Sequence, residues 1–261
     1  MRTPHLIVAA LLTASVAAAP AAWAQPARAT LIEARNLAYD ANFRNDQAGL
    51  RAAITALQAL PSDGPEGAYT NYYLWWTNWT LVAAQAQANE TAGAVESAHR
   101  ALRYARLAAA SRPDDPEFQS ALANALIAVA VVDRPQFAAM ANELAGVRQR
   151  ALEIGARNPR VVLMDAGMIF NNPPERGGSQ ERGLARWQEA LDLFEAESKA
   201  TTVDPIAPRW GHALAQGWMA TLFLRMTPPQ KENARRAADA ALKMRPDFWW
   251  VREQVLPQLK E

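Results

Sequence analysis

The chain has 261 residues, half of them hydrophobic, with 27 basic and 26 acidic side chains and a formal net charge of +1. That balance excludes a protein that grips nucleic acid through a positive surface, because displacing phosphate counterions needs clustered Lys and Arg. No cysteine occurs, which excludes disulfides, thiolate metal sites and a lipidated N-terminal cysteine.

Residues 1–24 read as a secretory signal. Arg2 supplies the positive start, residues 6–19 are apolar or small apart from Thr13 and Ser15, and Ala22-Trp23-Ala24 forms an A-x-A site. Cleavage is expected after Ala24. The run is too short for a membrane span, which needs roughly 20 apolar residues. Cleavage removes Arg2 and leaves 26 basic against 26 acidic side chains, a formal charge of zero that gives no support to membrane-surface attachment. The expected product is a periplasmic or secreted protein of one domain over residues 25–261, not a lipoprotein.

Beyond the signal, apolar residues recur at helical spacing. A first helix carries Leu31, Ala34, Leu37 and Ala38 and breaks at residues 42–46. A second, over 48–60, has Leu50, Ile54, Leu57 and Leu60 on one face and stops at Pro61-Ser62-Asp63-Gly64-Pro65. A third starts near Gly67 and carries Tyr69, Tyr72, Tyr73, Trp75, Trp76 and Trp79. After a break near Asn89, a long helix runs through Val95, Ala98, Leu102 and Leu107 to "SRPDDP". The apolar run 118–132 contains Gln119, Ser120 and Asn124, and is a buried helix rather than a span. Helices follow over about 136–156 and 161–170, then one through Leu184, Trp187, Leu191 and Phe194. "TTVDPIAP" breaks the chain. A pair over 210–226 and 229–244 comes next, and a last segment over 248–259 is expected as a capping helix. No stretch sustains strand alternation, so the fold class is all-α.

Four segments end alike: "ALQALPSD", "AAASRPDDPEF", "ALEIGARNPR" and "AALKMRPDFWW". Each sets small and apolar residues before a proline, and in three an Asp or Asn adjoins that proline. This resembles the tetratricopeptide-repeat (TPR) family, in which a small residue in the second helix allows close packing and a proline ends the unit. The intervals from Pro61 to Pro113 to Pro159 exceed the roughly 34 residues of a standard repeat, so longer helices are expected. The resemblance implies an α-solenoid of about five antiparallel helix pairs, a TPR-like superhelix. It also implies a concave groove that binds a partner protein, a peptide or a small ligand.

The stretch "IFNNPPERGGSQERGLARW" (169–187) looks like a catalytic glycine loop and fails each template. No Lys follows Gly178 as a P-loop requires; the G-x-G-x-x-G spacing is absent; Glu181 stands where a nucleophile elbow needs Gly. It reads instead as a joint. Pro173 and Pro174 stop one helix, Gly177 and Gly178 permit positive φ, and Ser179 caps the next helix. The segment 172–197 also resembles one in exported bacterial TPR-like proteins, with no catalytic role attached. Arg176 is kept as a candidate anion or partner contact.

After processing only His99 and His212 remain, with no second His within a helical turn of either. No metal site, cofactor, catalytic residue or enzymatic activity is expected. Arg100, Arg103 and Arg106 form a basic stripe, read as a solvated face or a contact for an acidic partner.

The aromatic helix is the leading candidate. Tyr69, Tyr72, Tyr73, Trp76 and Trp79 share one helical face, and Asn71 and Asn78 on the same helix can hydrogen-bond a peptide backbone. Core packing produces the same stripe, and both readings stand. Trp210, His212 and Trp218, on the first helix of a later pair, can line the same groove. The expected function is an exported scaffold binding a protein or peptide in that groove. The alternative is a periplasmic binder of a small aromatic or apolar ligand, associated with a transport system. An enclosed aromatic cavity favours the second and an open polar trough the first.

Overall fold

The computed structural model describes residues 25–201 and 203–260. The export signature at residues 1–24 lies outside the described residues. Among the described residues ten α-helices form five antiparallel pairs. α1 (Gln25–Phe43) pairs with α2 (Gln47–Gln58), α3 (Gly64–Gln87) with α4 (Thr91–Ser111), and α5 (Pro116–Val132) with α6 (Arg134–Ile154). α7 (Pro159–Asn171) pairs with α8 (Gln180–Ser198), and α9 (His212–Leu224) with α10 (Lys231–Met244). Among the described residues there is no strand, and no helix is long and apolar enough to cross a membrane.

The prolines start helices as much as they stop them. Pro116 and Pro159 stand at the first turn of α5 and α7, where the missing N–H would have no helical acceptor. The residue before each proline caps the same helix. Asp115 accepts from Glu117 N at 3.0 Å, and Asn158 accepts from Arg160 N at 2.9 Å and Val161 N at 3.1 Å. The recurrent Asp/Asn-Pro signal therefore marks the start of the next pair. Small residues set the spacing: Ala94, Ala98, Ala101 and Ala105 of α4 are buried, as are Ala234, Ala237, Ala238 and Ala241 of α10.

The expected C-terminal capping helix is instead a single π-helical turn (Val251–Val255) followed by a 3-10 turn (Leu256–Leu259). Pro257 has no N–H to extend the α ladder, and the buried Phe248, Val251 and Val255 pin the segment against α9 and α10. The cap survives as packing: a Cβ on Gly217 of α9 would lie 2.4 Å from the Phe248 ring.

The joint after α7 follows the expected design, with one refinement. Ser179 accepts from Arg182 N at 3.2 Å. Only Gly177 takes a positive φ, of 79°. Gly178 is required for a different reason, since a Cβ there would fall 1.7 Å from Asn172 O. Gly177→Ala, with open space around it, is expected to cost about 1 kcal/mol of folding free energy. Gly178→Ala, which must push backbone aside, is expected to cost about 2–3 kcal/mol. Urea denaturation of the two variants checks this, and equal costs would refute it.

The superhelix winds until the segment after its last pair meets the C-terminal half of α1. The rings of Phe43 and Phe248 meet edge-on at 4.9 Å. Arg245 donates to Asp40 at 3.0 Å and lies 4.1 Å over the Phe43 ring. The concave side is therefore a chamber, and the loop over 203–211 fills one end of it. Ile206 of that loop is fully buried. Tyr73 Oη donates to Ile206 O at 2.6 Å, Arg35 Nη1 to Pro205 O at 2.7 Å, and Arg160 Nη2 to Pro208 O at 3.0 Å. Arg28 pairs with Asp204 of the same loop. Side chains from α1, α3 and α7 thus satisfy carbonyls that no regular structure pairs.

Candidate functional site

α3 runs through the centre of the superhelix and is buried on every side over residues 68–78. The candidate residues Tyr69, Tyr72, Tyr73 and Trp76 are consequently core rather than binding surface. Tyr72 meets Trp75 at 4.9 Å, and Tyr39 of α1 lies edge-on to Trp76 at 4.7 Å. Asn71 Nδ2 donates to Ser62 O at 2.9 Å and Asn78 Nδ2 to Leu74 O at 2.8 Å, so both amides serve the chain's own backbone. Burial pushes the Tyr39 phenol up to about 12 and raises Tyr72 and Tyr73 well above the usual range. The aromatic residues share one helix, α3; that every side of it is covered depends on α1, α5 and the loop over 203–211 packing against it together.

One turn beyond this layer the chamber opens. Trp79, half-buried, begins an apolar cup of about 580 Å³ between α3, α5, α6, α7, α8 and α9. Four indoles line it: Trp79, Trp187, Trp210 and Trp218. The remaining wall is largely aliphatic and thioether, from Ile127 and Val131 of α5, Phe137 and Leu144 of α6, and Leu163, Met164 and Met168 of α7. Asn124, Asn171 and Asn172 are its uncharged polar side chains. Val131, at 68 % exposure, stands on the rim as an open aliphatic surface.

Arg160 is the one ionisable side chain in this lining, and it is already neutralised. Its Nη1 and Nη2 donate to Glu197 at 2.8 and 2.9 Å, and Nη1 lies 3.4 Å from Glu117. Burial pulls the Arg160 pKa down, but the Glu117 and Glu197 carboxylates hold it above its ordinary value. Burial likewise raises Glu117, and Arg160 offsets this only in part. Tyr72 donates to Glu117, and Trp210 Nε1 donates to Tyr72 Oη at 2.7 Å. This buried chain of polar contacts sits behind the cup and fixes Trp210, over which Arg160 lies at 5.6 Å.

The other candidates fall elsewhere. His212 stacks on Phe194 at 6.1 Å and lines a separate cavity of about 270 Å³ with Glu197 and Arg209, so it does not join Trp210 and Trp218 in one groove. Burial lowers its pKa. Arg176 is exposed on the 3-10 turn (Pro174–Arg176) and lines none of the cavities described. The basic stripe is partly engaged within the chain: Arg106 pairs with Glu143 of α6 and Arg100 with Glu96. Among the described residues no group of His, Asp or Glu is arranged to hold a metal ion.

Sequence reasoning missed the α5–α7 side of the cup. After Asn124 the run to Val132 is apolar on every face, so the half-buried Ile127 and exposed Val131 have no periodic signature. Arg160, inside "RNPR", read only as part of a helix stop.

No protein-family model and no curated protein matches the chain. Two solved structures are similar in fold. One is a thermophilic TPR protein of Thermus thermophilus, at 15% identity and a TM-score of 0.56, covering 90% of this chain and 100% of that one. The other is the HusA haemophore from Porphyromonas gingivalis, at 19% identity and a TM-score of 0.56, covering 78% of this chain and 94% of that one. The fold is thus a TPR-like helical repeat.

Proposed function

We propose that this chain, exported as residues 1–24 predict, binds a small, uncharged, largely apolar ligand in the indole-lined cup. The observation that carries this reading is the cup itself: about 580 Å³, four indoles, and one cation already held by two carboxylates. Ligand sites typically measure about 300–1,000 Å³, mostly apolar with a few polar groups. A charged ligand group would lose its hydration there without gaining a free counter-charge. The likeness to a haemophore supports a small-molecule cargo over a peptide. A peptide partner, expected from the TPR resemblance, brings an amide to bury at every residue, and the largely apolar lining offers few groups to bond them. Binding rather than chemistry is also supported by the lining, in which no nucleophile stands beside a base.

Nile red, a flat uncharged dye, tests the proposal. Titration is expected to quench tryptophan emission, with an affinity flat between pH 5 and 8 because the cup holds no group that titrates there. Trp218→Ala removes a half-buried wall and is expected to weaken binding at least tenfold, about 1.4 kcal/mol or more. No binding by the wild type, or equal binding by the variant, would overturn the proposal.

A further inference from the structure

The cup is not the end of the cavity. A second hollow of about 370 Å³ lies between α3, α5, α9 and the C-terminal segment, and shares Trp79, Asn124, Ile127, Val131 and Trp218 with the first. Five common walls make the two hollows lobes of one groove with a waist. The second lobe has no ionisable side chain in its lining, so the lack of a free charge continues through it.

The waist carries uncharged polar groups with nothing to bond. The indoles of Trp187, Trp210 and Trp250 donate to Ala215 O, Tyr72 Oη and Thr221 Oγ1 at 2.9, 2.7 and 3.0 Å. Among the described residues the Trp79 and Trp218 indoles donate to no protein acceptor, and their nitrogens are open to solvent. Asn124 Nδ2 donates to Ser120 O at 3.0 Å, which leaves Oδ1 as a spare acceptor. The residues common to both lobes thus bring two N–H donors and one acceptor, from Trp79, Trp218 and Asn124, beside the apolar Ile127 and Val131. A polar group displacing water there keeps its hydrogen bonds; a purely hydrocarbon ligand strands the three protein groups.

The geometry points to one elongated site, and to a specific ligand class. That class is an uncharged lipid-like molecule with a hydroxyl or carbonyl near its middle and an apolar arm in each lobe. Asn124 reads the central group together with the indoles of Trp79 and Trp218. This rests on the small-ligand reading of the cup and extends it.

The test is displacement of Nile red by 9-heptadecanol and by heptadecane, each delivered from cyclodextrin. The alcohol is expected to compete about tenfold better than the alkane, and Asn124→Leu to erase most of that preference. Ala83 is exposed and lines only the second lobe, so Ala83→Trp narrows that lobe without entering the core. It is expected to weaken 9-heptadecanol at least tenfold more than it weakens Nile red. If Ala83→Trp leaves the alcohol unaffected, the second lobe is not part of the site. If alcohol and alkane compete equally, the waist does not read a polar group. Either result overturns this inference and leaves the cup as a ligand site. Failure of the wild type to bind Nile red removes both.

Discussion

Replacing Arg160 with methionine is expected to cost about 3–5 kcal/mol of folding stability at neutral pH, because it leaves a buried carboxylate without its counter-charge. Arg160 is 2 % exposed and joins three elements, through Glu117 of α5, Glu197 of α8 and Pro208 O of the chamber-filling loop. Glu197 is about one-third exposed and can rehydrate. Glu117 is buried and cannot. Burial already raises its pKa above the ordinary carboxylate value in the folded protein, against the opposing pull of Arg160 and the hydrogen bonds from Tyr72 and Asn158. A carboxyl raised on folding contributes stability that is fully present below its unfolded value and is lost as pH rises through its folded value.

Without Arg160 the folded value climbs further. The deficit of Arg160→Met should therefore be larger at pH 7 than at pH 5, shrinking as falling pH favours protonation of Glu117. Adding Glu117→Gln should recover part of the loss at pH 7 and remove the pH dependence. Urea denaturation of the single and double variants at both pH values reads this directly. A deficit that does not change with pH would refute the role of Arg160 as counter-charge to Glu117.

Trp76→Ala is expected to be comparably costly, at about 3–5 kcal/mol, because a buried indole leaves a cavity that its neighbours cannot close. Trp76 is 1 % exposed, lies edge-on to Tyr39, and sits 6.1 Å from Trp210. Its Nε1 finds no acceptor, so Trp76→Phe keeps most of the packing, drops an unpaired donor, and should cost less than half as much. The folded fraction of either variant should still bind Nile red. Trp218→Ala should behave in the opposite way, losing the dye while losing less stability than Trp76→Ala. A Trp76→Ala protein of wild-type stability that no longer binds would return Trp76 to the binding surface.

These two tryptophans show where legibility ended. Both lie on first helices of pairs, in apolar patterns of similar strength. Period 3.6 says which residues share a face; it does not say what the face meets. Trp76 meets α1 and the returning Trp210, whereas Trp218, edge-on to Trp79, borders the cup. Arg160 is the sharper case. An arginine beside a helix-starting proline reads as solvent-exposed on composition, since arginine is almost never fully buried unless paired. Its two partners are 43 and 37 residues away in sequence.

Local chemistry explains what could be read directly. Apolar periodicity, the proline breaks, the Ser179 cap and the glycine joint act within a few residues of themselves, so ten helices in about five pairs could be read from the chain, and the likeness of the helix ends to TPR units supplied the class; that Asp/Asn-Pro also starts the next pair came from the structure. The closure of the superhelix, the loop in its chamber and the position of the indole cup could not be read from the chain. Each depends on small rotations between successive pairs, summed over five of them, and no local pattern records that sum. That sum brings Phe248 to Phe43 and Ile206 to Tyr73. It turned the expected open groove into a chamber with an apolar cup at its other end.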